Sequence, residues 1–169
     1  MRSMLFLPII LLLPGTAPAD FSAFTTGPVI EDYGPVADID ATLPIPEGAR
    51  FRHSYDVSTR ADDGELNRSL VTAARFINMH ARAGVDPDRI ELAVVVHGGA
   101  TFDVSAEAGV NADLVAALIE HGVRIIVCGQ SAAYYDVKAE DLLPGVEMAL
   151  SAMTAHALLQ QDGYTLNPF

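Results

Sequence analysis

Ile90-Glu-Leu-Ala-Val-Val-Val-His97, followed by Gly98-Gly99, is the stretch that decides the fold. Its near-continuous aliphatic run predicts a strand that is buried on both faces, as the central strands of parallel sheets are. A second run, Val123–Cys128, predicts another such strand. Helical periodicity between and beyond these runs, with short connections, predicts an α/β fold. We expect one domain, a three-layer sandwich whose mainly parallel sheet carries helices on both faces.

Weaker patterns place the remaining elements. Alternation over Phe51–Val57 predicts the first strand. The next helix has its apolar residues at helical spacing from Leu66 onward, and Asp62 with Glu65 resembles a capping box at its start. Further predictions are a tight loop over 98–101, a helix capped by Asn111, a short helix at 132–135, strands at 146–149 and 164–166, and a helix over 151–161.

The first 19 residues have the parts of a secretory signal peptide. Arg2 gives a positive start, Met4–Leu13 is an almost unbroken apolar run, and Ala17-Pro18-Ala19 offers a cleavage site. A membrane anchor is disfavoured, because this run is about half the ~20 residues that span a bilayer. We therefore expect cleavage after Ala19, export to the periplasm and no membrane association afterwards.

The remaining chain divides into an arm and a domain. Residues 20–49 lack sustained periodicity and contain recurrent proline and glycine, which predicts an irregular arm. The arm is too apolar for a pure linker, so we expect it to cross the domain surface or an oligomer interface. The α/β domain is assigned to residues 50–169.

Charge limits the range of partners. The chain has 22 acidic and 10 basic residues, a formal net charge of −12. A surface this acidic repels nucleic acid and anionic lipid, and no basic cluster stands out against it. Nucleic-acid binding and binding to a membrane surface are therefore not expected.

Cys128 is the single cysteine of the chain. In an oxidising compartment it is a buried, inert residue, a partner in an intermolecular disulfide, or a reactive thiol. It ends a predicted strand, and Gly129-Gln130-Ser131 leads into a short helix with Ser131 as its candidate cap. The amides at such a helix start stabilise a thiolate, which would make the sulfur nucleophilic.

His97 ends the other aliphatic strand and is followed by Gly98. If the two strands are neighbours, His97 and Cys128 lie on one rim of the sheet, where ligands of open parallel sheets bind. His97 is then either an ordinary hydrogen-bonded rim residue or a base or cation close to the thiol. Cys128 with His97 and His53 could form a soft-metal site, but no short ligand spacing supports it. No dinucleotide or Walker-type fingerprint is present, so we predict no metal and no cofactor.

Several motifs, in this order, resemble the DsrE/DsrF-like family from about residue 51 to 166. They are Val94–Gly98, Gly122-Val123 leading to Val127–Ser131, Leu142–Val146, and Ser151-Ala152 through Leu159–Tyr164, with Gly27–Pro35 resembling the arm of the family's exported subgroup.

The resemblance implies a flavodoxin-like or DsrE-like α/β sandwich, assembled as a homo-trimer or homo-hexamer, and a link to sulfur relay. Cys128 is the position that matches the cysteine on which cytoplasmic relatives carry sulfur as a persulfide. His97 and Gly129, Gln130 and Ser131 match the surrounding motif of the exported subgroup.

The leading hypothesis is a periplasmic sulfur carrier or sulfurtransferase. Cys128 would hold the persulfide, and His97, Gly98 and the amides of 129–131 would stabilise the thiolate or a bound anion. The sulfur donor and acceptor are unknown. Two alternatives stay open, a non-enzymatic module that binds a small anion or soft metal, and a structural oligomer subunit in which Cys128 is unreactive.

Overall fold

The two aliphatic runs form the centre of a five-stranded parallel sheet in the computed structural model, which describes residues 20–167. The predicted signal peptide lies outside the described residues. The strands are β1 (Phe24–Thr25), β2 (Val36–Ala37), β3 (Phe51–Val57), β4 (Ile90–Val96), β5 (Arg124–Cys128), β6 (Glu147–Ala149) and β7 (Thr165–Asn167). The α-helices are α1 (Arg68–Arg82), α2 (Asn111–Glu120), α3 (Gly129–Tyr134) and α4 (Ala152–Gln161), and short 3-10 helices span 87–89, 98–104 and 139–141.

The order of the strands explains why both faces of the sheet are covered. The sheet runs β6-β5-β4-β3-β7, so the chain steps in one direction from β3 to β6 and then returns to the far edge. Right-handed crossovers in one direction place α1 and α2 on the same face, and the return places α4 on the other. This three-layer arrangement confirms the predicted fold class.

Alternate residues of each central strand belong to different cores. In β4, Leu92, Val94 and Val96 pack in the larger core with residues of α1 and α2. Ala93 and Val95 pack in the smaller core with residues of α4. This two-residue period fixes which side chains at the carboxyl ends of the strands face α4.

The predicted capping box at Asp62 and Glu65 is wrong. These residues form a turn ahead of α1, in which the Glu65 amide donates to the Asp62 carbonyl at 2.9 Å. The N-terminal cap of α1 is Asn67, whose Oδ1 accepts from two amides of the first turn. Asn67 is buried and its Nδ2 donates to Asp103 Oδ2 at 2.7 Å, so a tertiary contact selects the cap.

Two further local predictions are corrected. Asn111 is the first residue of α2 and not its cap, which is Val110. The Asn111 side chain instead accepts from the backbone amide of Asn67 at 2.7 Å and so joins the starts of α1 and α2. The predicted tight loop at Gly98 is the start of the 3-10 helix that runs to Val104.

The N-terminal arm packs on α1 through Asn78. This fully buried side chain accepts the amides of Val29 and Ile30 at 3.1 and 2.8 Å. Its Nδ2 donates to the carbonyls of Ile30, Tyr33 and Gly34. The arm has only the two-residue strands β1 and β2 as regular structure, so one amide of α1 supplies much of its hydrogen bonding.

Within residues 20–167, none of the helices combines the length and the apolar character that crossing a bilayer requires.

Replacing Asn78 with Ala should release the arm from α1. Several buried amides and carbonyls of the arm would lose their partner, which costs about 2 kcal/mol or more in unfolding free energy. Urea unfolding would measure this loss, and limited proteolysis would show earlier cleavage within residues 20–49.

Thr72→Ala on the exposed side of the same helix is the matched control, since its hydroxyl bonds only to the Arg68 carbonyl. Such a surface change stays within about 0.5 kcal/mol of wild type. An Asn78→Ala protein as stable as this control would show that the arm is held by other contacts.

Candidate functional site

Three polar side chains emerge on the α4 face at the carboxyl ends of neighbouring strands. Asp56 lies in β3, His97 directly follows β4, and Cys128 ends β5. Val96 of β4 pairs with Val57 of β3 and with Val127 of β5, so all three strands end at the same level. The two-residue period places Asp56, His97 and Cys128 on the side of the sheet that packs against α4.

These side chains line one cavity of about 310 Å³ under the start of α4. His156 of α4 forms part of the same wall. The remaining lining is provided by Gln130, Ser131, Ser151, Ala152 and Met153. The structure therefore brings together His97 and Cys128, as the sequence predicts, and adds two residues that the sequence analysis did not select, Asp56 and His156.

Asp56 bridges the two histidines. Its Oδ2 lies 3.1 Å from His97 Nε2 and its Oδ1 lies 2.8 Å from His156 Nε2. Burial raises the pKa of Asp56, but hydrogen bonds from both rings outweigh it and hold the pKa below its usual value. Because an ionised carboxylate only accepts hydrogen bonds, both Nε2 atoms are protonated donors. We call Asp56, His97 and His156 the histidine–carboxylate cluster.

Cys128 is 6% exposed, and its thiol is surrounded by donors. Burial raises its pKa, but hydrogen bonds from the backbone and hydroxyl of Ser131 and from the amides of Ala152 and Gln130 outweigh burial and lower the pKa. These donors come from α3 and from the start of α4. The thiolate form is thus stabilised by neutral dipoles at hydrogen-bond distance.

Ser131 does not cap α3, because the helix begins at Gly129 and Cys128 is its N-terminal cap residue. Its hydroxyl instead joins two parts of the site. Ser131 Oγ accepts from the Gly98 amide at 3.0 Å, which leaves its proton free for the sulfur of Cys128. The start of the 3-10 helix after β4 is therefore held against α3.

Gly129 allows the sharp passage from β5 into α3. A Cβ at this position would lie 2.7 Å from the Ala149 carbonyl oxygen, so any side chain would force β6 away. Gln130 Nε2 donates to the Leu150 carbonyl at 3.2 Å, which ties α3 to the segment between β6 and α4. Both residues thus shape the cavity wall around the thiol.

His53 lies apart from this cavity. It pairs with Thr165 of the edge strand β7, and its Nδ1 lies 2.6 Å from the Thr165 hydroxyl. Across residues 20–167, no three or more His, Cys, Asp or Glu side chains are grouped so as to hold a metal ion. The soft-metal alternative therefore gains no support from His53.

The alkylation rate of Cys128 should level off below the pH expected for an unperturbed thiol, about 8.5. Ser131→Ala removes one hydrogen bond to the thiolate, so the alkylation rate at neutral pH should fall about fivefold and the profile should move to higher pH. Iodoacetamide kinetics followed by intact mass would measure both effects.

Ser69→Ala is the matched control, because Ser69 lies in the first turn of α1, outside the cavity. It should leave the profile unchanged. A native protein that reacts only after denaturation would instead identify Cys128 as an inert core residue.

Comparison with known proteins supplies the family. The model of the DsrE/DsrF-like family matches residues 55–168. The solved structure of the protein of unknown function MTH1491 from Methanobacterium thermoautotrophicum is similar with a TM-score of 0.57 and 18% identity, over 70% of this chain and 99% of that chain. At this identity the likeness supports the fold alone. No curated protein matches the chain. The motifs around His97 and Cys128 lie within the matched range, and the chain belongs to the DsrE/DsrF-like family.

Proposed function

We propose that the protein carries or transfers sulfane sulfur as a persulfide on Cys128. Membership of the DsrE/DsrF-like family suggests a role in sulfur relay in general terms. The observation that carries the specific proposal is the thiol itself. It lines a cavity, and its pKa is lowered by four hydrogen bonds that outweigh burial.

The proposed step is a redox-neutral transfer. The Cys128 thiolate attacks the outer sulfur of a donor persulfide, R–S–SH, and a new S–S bond forms. The bond between the two donor sulfurs breaks, and the leaving RS⁻ takes the electron pair and then a proton. The product is a persulfide on Cys128, which an acceptor thiolate removes by the same reaction in reverse.

The donors around Cys128 suit a carrier. A persulfide anion accepts the same kind of N–H and O–H donors as a thiolate. The cavity of about 310 Å³ has room for the added sulfur atom beside the thiol. No water-activating metal is needed, since sulfur transfer uses only the thiolate and a proton.

We also propose that this reaction takes place in the periplasm. The basis is the sequence of residues 1–19, with its apolar run and the small residues at Ala17 and Ala19. The mature protein would begin at Asp20, after the small residues of the expected cleavage site.

Incubation of the mature protein with inorganic polysulfide should add the mass of one or more sulfur atoms. Intact mass spectrometry would detect the adduct, and a reducing agent should remove it. Cys128→Ser should remain unmodified, because the chain has one cysteine.

Cys128→Ser differs from wild type by a single atom and serves as the matched control. An equal adduct on this variant, or none on wild type, would contradict the persulfide proposal. The same mass measurement on protein from a periplasmic fraction reports the mature N-terminus, where any start other than Asp20 would contradict the expected cleavage site.

A homo-oligomer is the second part of the proposal, and the α4 side of the sheet supports it. Leu150 and Met153 are 73% and 80% exposed. Met148 and Leu158 are also exposed and line a groove of about 360 Å³ between β6 and α4. Large exposed aliphatic side chains of this kind mark interaction surfaces, and a second copy of the chain fits the assemblies that the family resemblance implies.

Leu150→Glu should weaken this association, since it would place a charge in an apolar interface. Light scattering after size-exclusion chromatography would show a lower mass than for wild type. Val110→Glu changes an exposed aliphatic residue at the start of α2, on the other face, and is the control. A wild-type protein that is monomeric at high concentration would contradict the proposal.

A further inference from the structure

We propose that the histidine–carboxylate cluster handles the proton of the sulfur-transfer reaction, with His97 as the group that protonates the leaving sulfur and Asp56 and His156 as positioning residues. This inference rests on the function proposed for Cys128. It extends that function to three residues, two of which lie outside the motif that suggested the site.

The placement of Asp56 is the first argument. It is the one exposed residue among the last four positions of β3, between buried Tyr55 and Val57. Its side chain is 45% exposed on the face that packs under α4, and each carboxylate oxygen meets a different histidine ring. The contacts at 3.1 and 2.8 Å join the three side chains into a single unit.

The two histidines of this unit are not equivalent. Both donate Nε2–H to Asp56, which leaves Nδ1 of each ring as the atom that can gain or lose a proton. Nδ1 of His156 is buried and has no hydrogen-bond partner, so a proton there would have no acceptor. The His156 side chain is 15% exposed and that of His97 is 32% exposed. His156 therefore fixes Asp56, and His97 is the ring that can exchange protons with the cavity.

The charges that face the cavity come from four groups. They are Asp56 of β3, His97 after β4, Cys128 of β5 and His156 of α4. Among the described residues that line the cavity, none is Lys, Arg or Glu. Of these groups, His97 is the one that can pass a proton to a leaving sulfur near β3 and β4. The donors to the Cys128 thiolate take no part in this step.

The proton balance follows directly. Asp56 accepts Nε2–H of His97, so Nδ1 is the ring atom from which a proton can pass to the substrate. When the donor S–S bond breaks, the leaving RS⁻ takes a proton from His97 Nδ1 and departs as RSH. His97 becomes neutral and is reprotonated by solvent. No oxidant or reductant is consumed.

Two probes with different leaving groups test this inference. Glutathione persulfide releases an alkyl thiolate, which needs a proton, and dithiobis(nitrobenzoate) releases an aromatic thiolate, which does not. His97→Gln, Asp56→Asn and His156→Gln should each slow sulfur uptake from glutathione persulfide by about tenfold or more. The rate with the aromatic disulfide should stay within about threefold of wild type, since the donors to Cys128 are unchanged.

The pH profile adds a signature that loss of packing would not produce. The rate of wild-type sulfur uptake from glutathione persulfide should fall as the pH rises past the range in which a histidine holds its second proton. This fall in rate should be absent in His97→Gln. His121→Gln is the matched control, because His121 lies at the end of α2 and bonds to the Ala117 carbonyl. If Asp56→Asn does not fold, Asp56→Glu and His156→Gln carry the comparison.

The outcomes separate this inference from the function on which it rests. Equal slowing with both probes, or no slowing with either, would overturn the proton role while leaving the persulfide on Cys128 intact. A wild-type protein that reacts with the aromatic disulfide but takes no sulfur from glutathione persulfide would overturn the proposed function. Glutathione disulfide, which forms a mixed disulfide with Cys128 and also releases an alkyl thiolate, would then test the proton role by itself.

Discussion

Burial of β4 on both faces is the constraint on which the rest of the structure depends. Its five buried residues, Leu92 to Val96, present apolar side chains to both sides of the sheet. A single layer of helices would leave about half of these side chains exposed to water. The cost in free energy is roughly 25 cal/mol for each Å² of exposed apolar surface. The return of the chain through α4 covers the second side, and the same crossover carries His156 to the strand ends where Asp56, His97 and Cys128 lie.

The two layers are unequal, and this inequality leaves room for the site. α1 and α2 together cover one face with a large core, whereas the core on the other face is built mainly around Ala155 and Leu159 of α4. A single helix of ten residues cannot cover a sheet of five strands. The cavity beside Cys128 and the groove beside Met148 both lie along this thinner layer.

The sequence was sufficient to predict the features that depend on local residue patterns and on the direction of the strands. The aliphatic runs identified β4 and β5, and because parallel strands end at one edge, His97 and Cys128 were expected on one rim. The same parity rule applied to Phe51–Val57 would have selected Asp56, a carboxylate near the end of a strand. His156 lies 100 residues from Asp56 in the chain, and no spacing rule joins two such residues before the return of α4 is known. The cap of α1 was missed for a similar reason, since the contact of Asn67 with Asp103 is long-range.

The choice of neutral donors around Cys128 has a consequence for the proposed chemistry. A lysine or arginine would stabilise the thiolate by charge, but it would also attract anions into the cavity. The amides of Gln130, Ser131 and Ala152 act only at hydrogen-bond distance, so they stabilise a thiolate and a persulfide anion alike. A carrier must both accept and release sulfur, which requires that the two states of Cys128 differ little in free energy. A site in which the same neutral donors can serve both states of Cys128 suits that requirement.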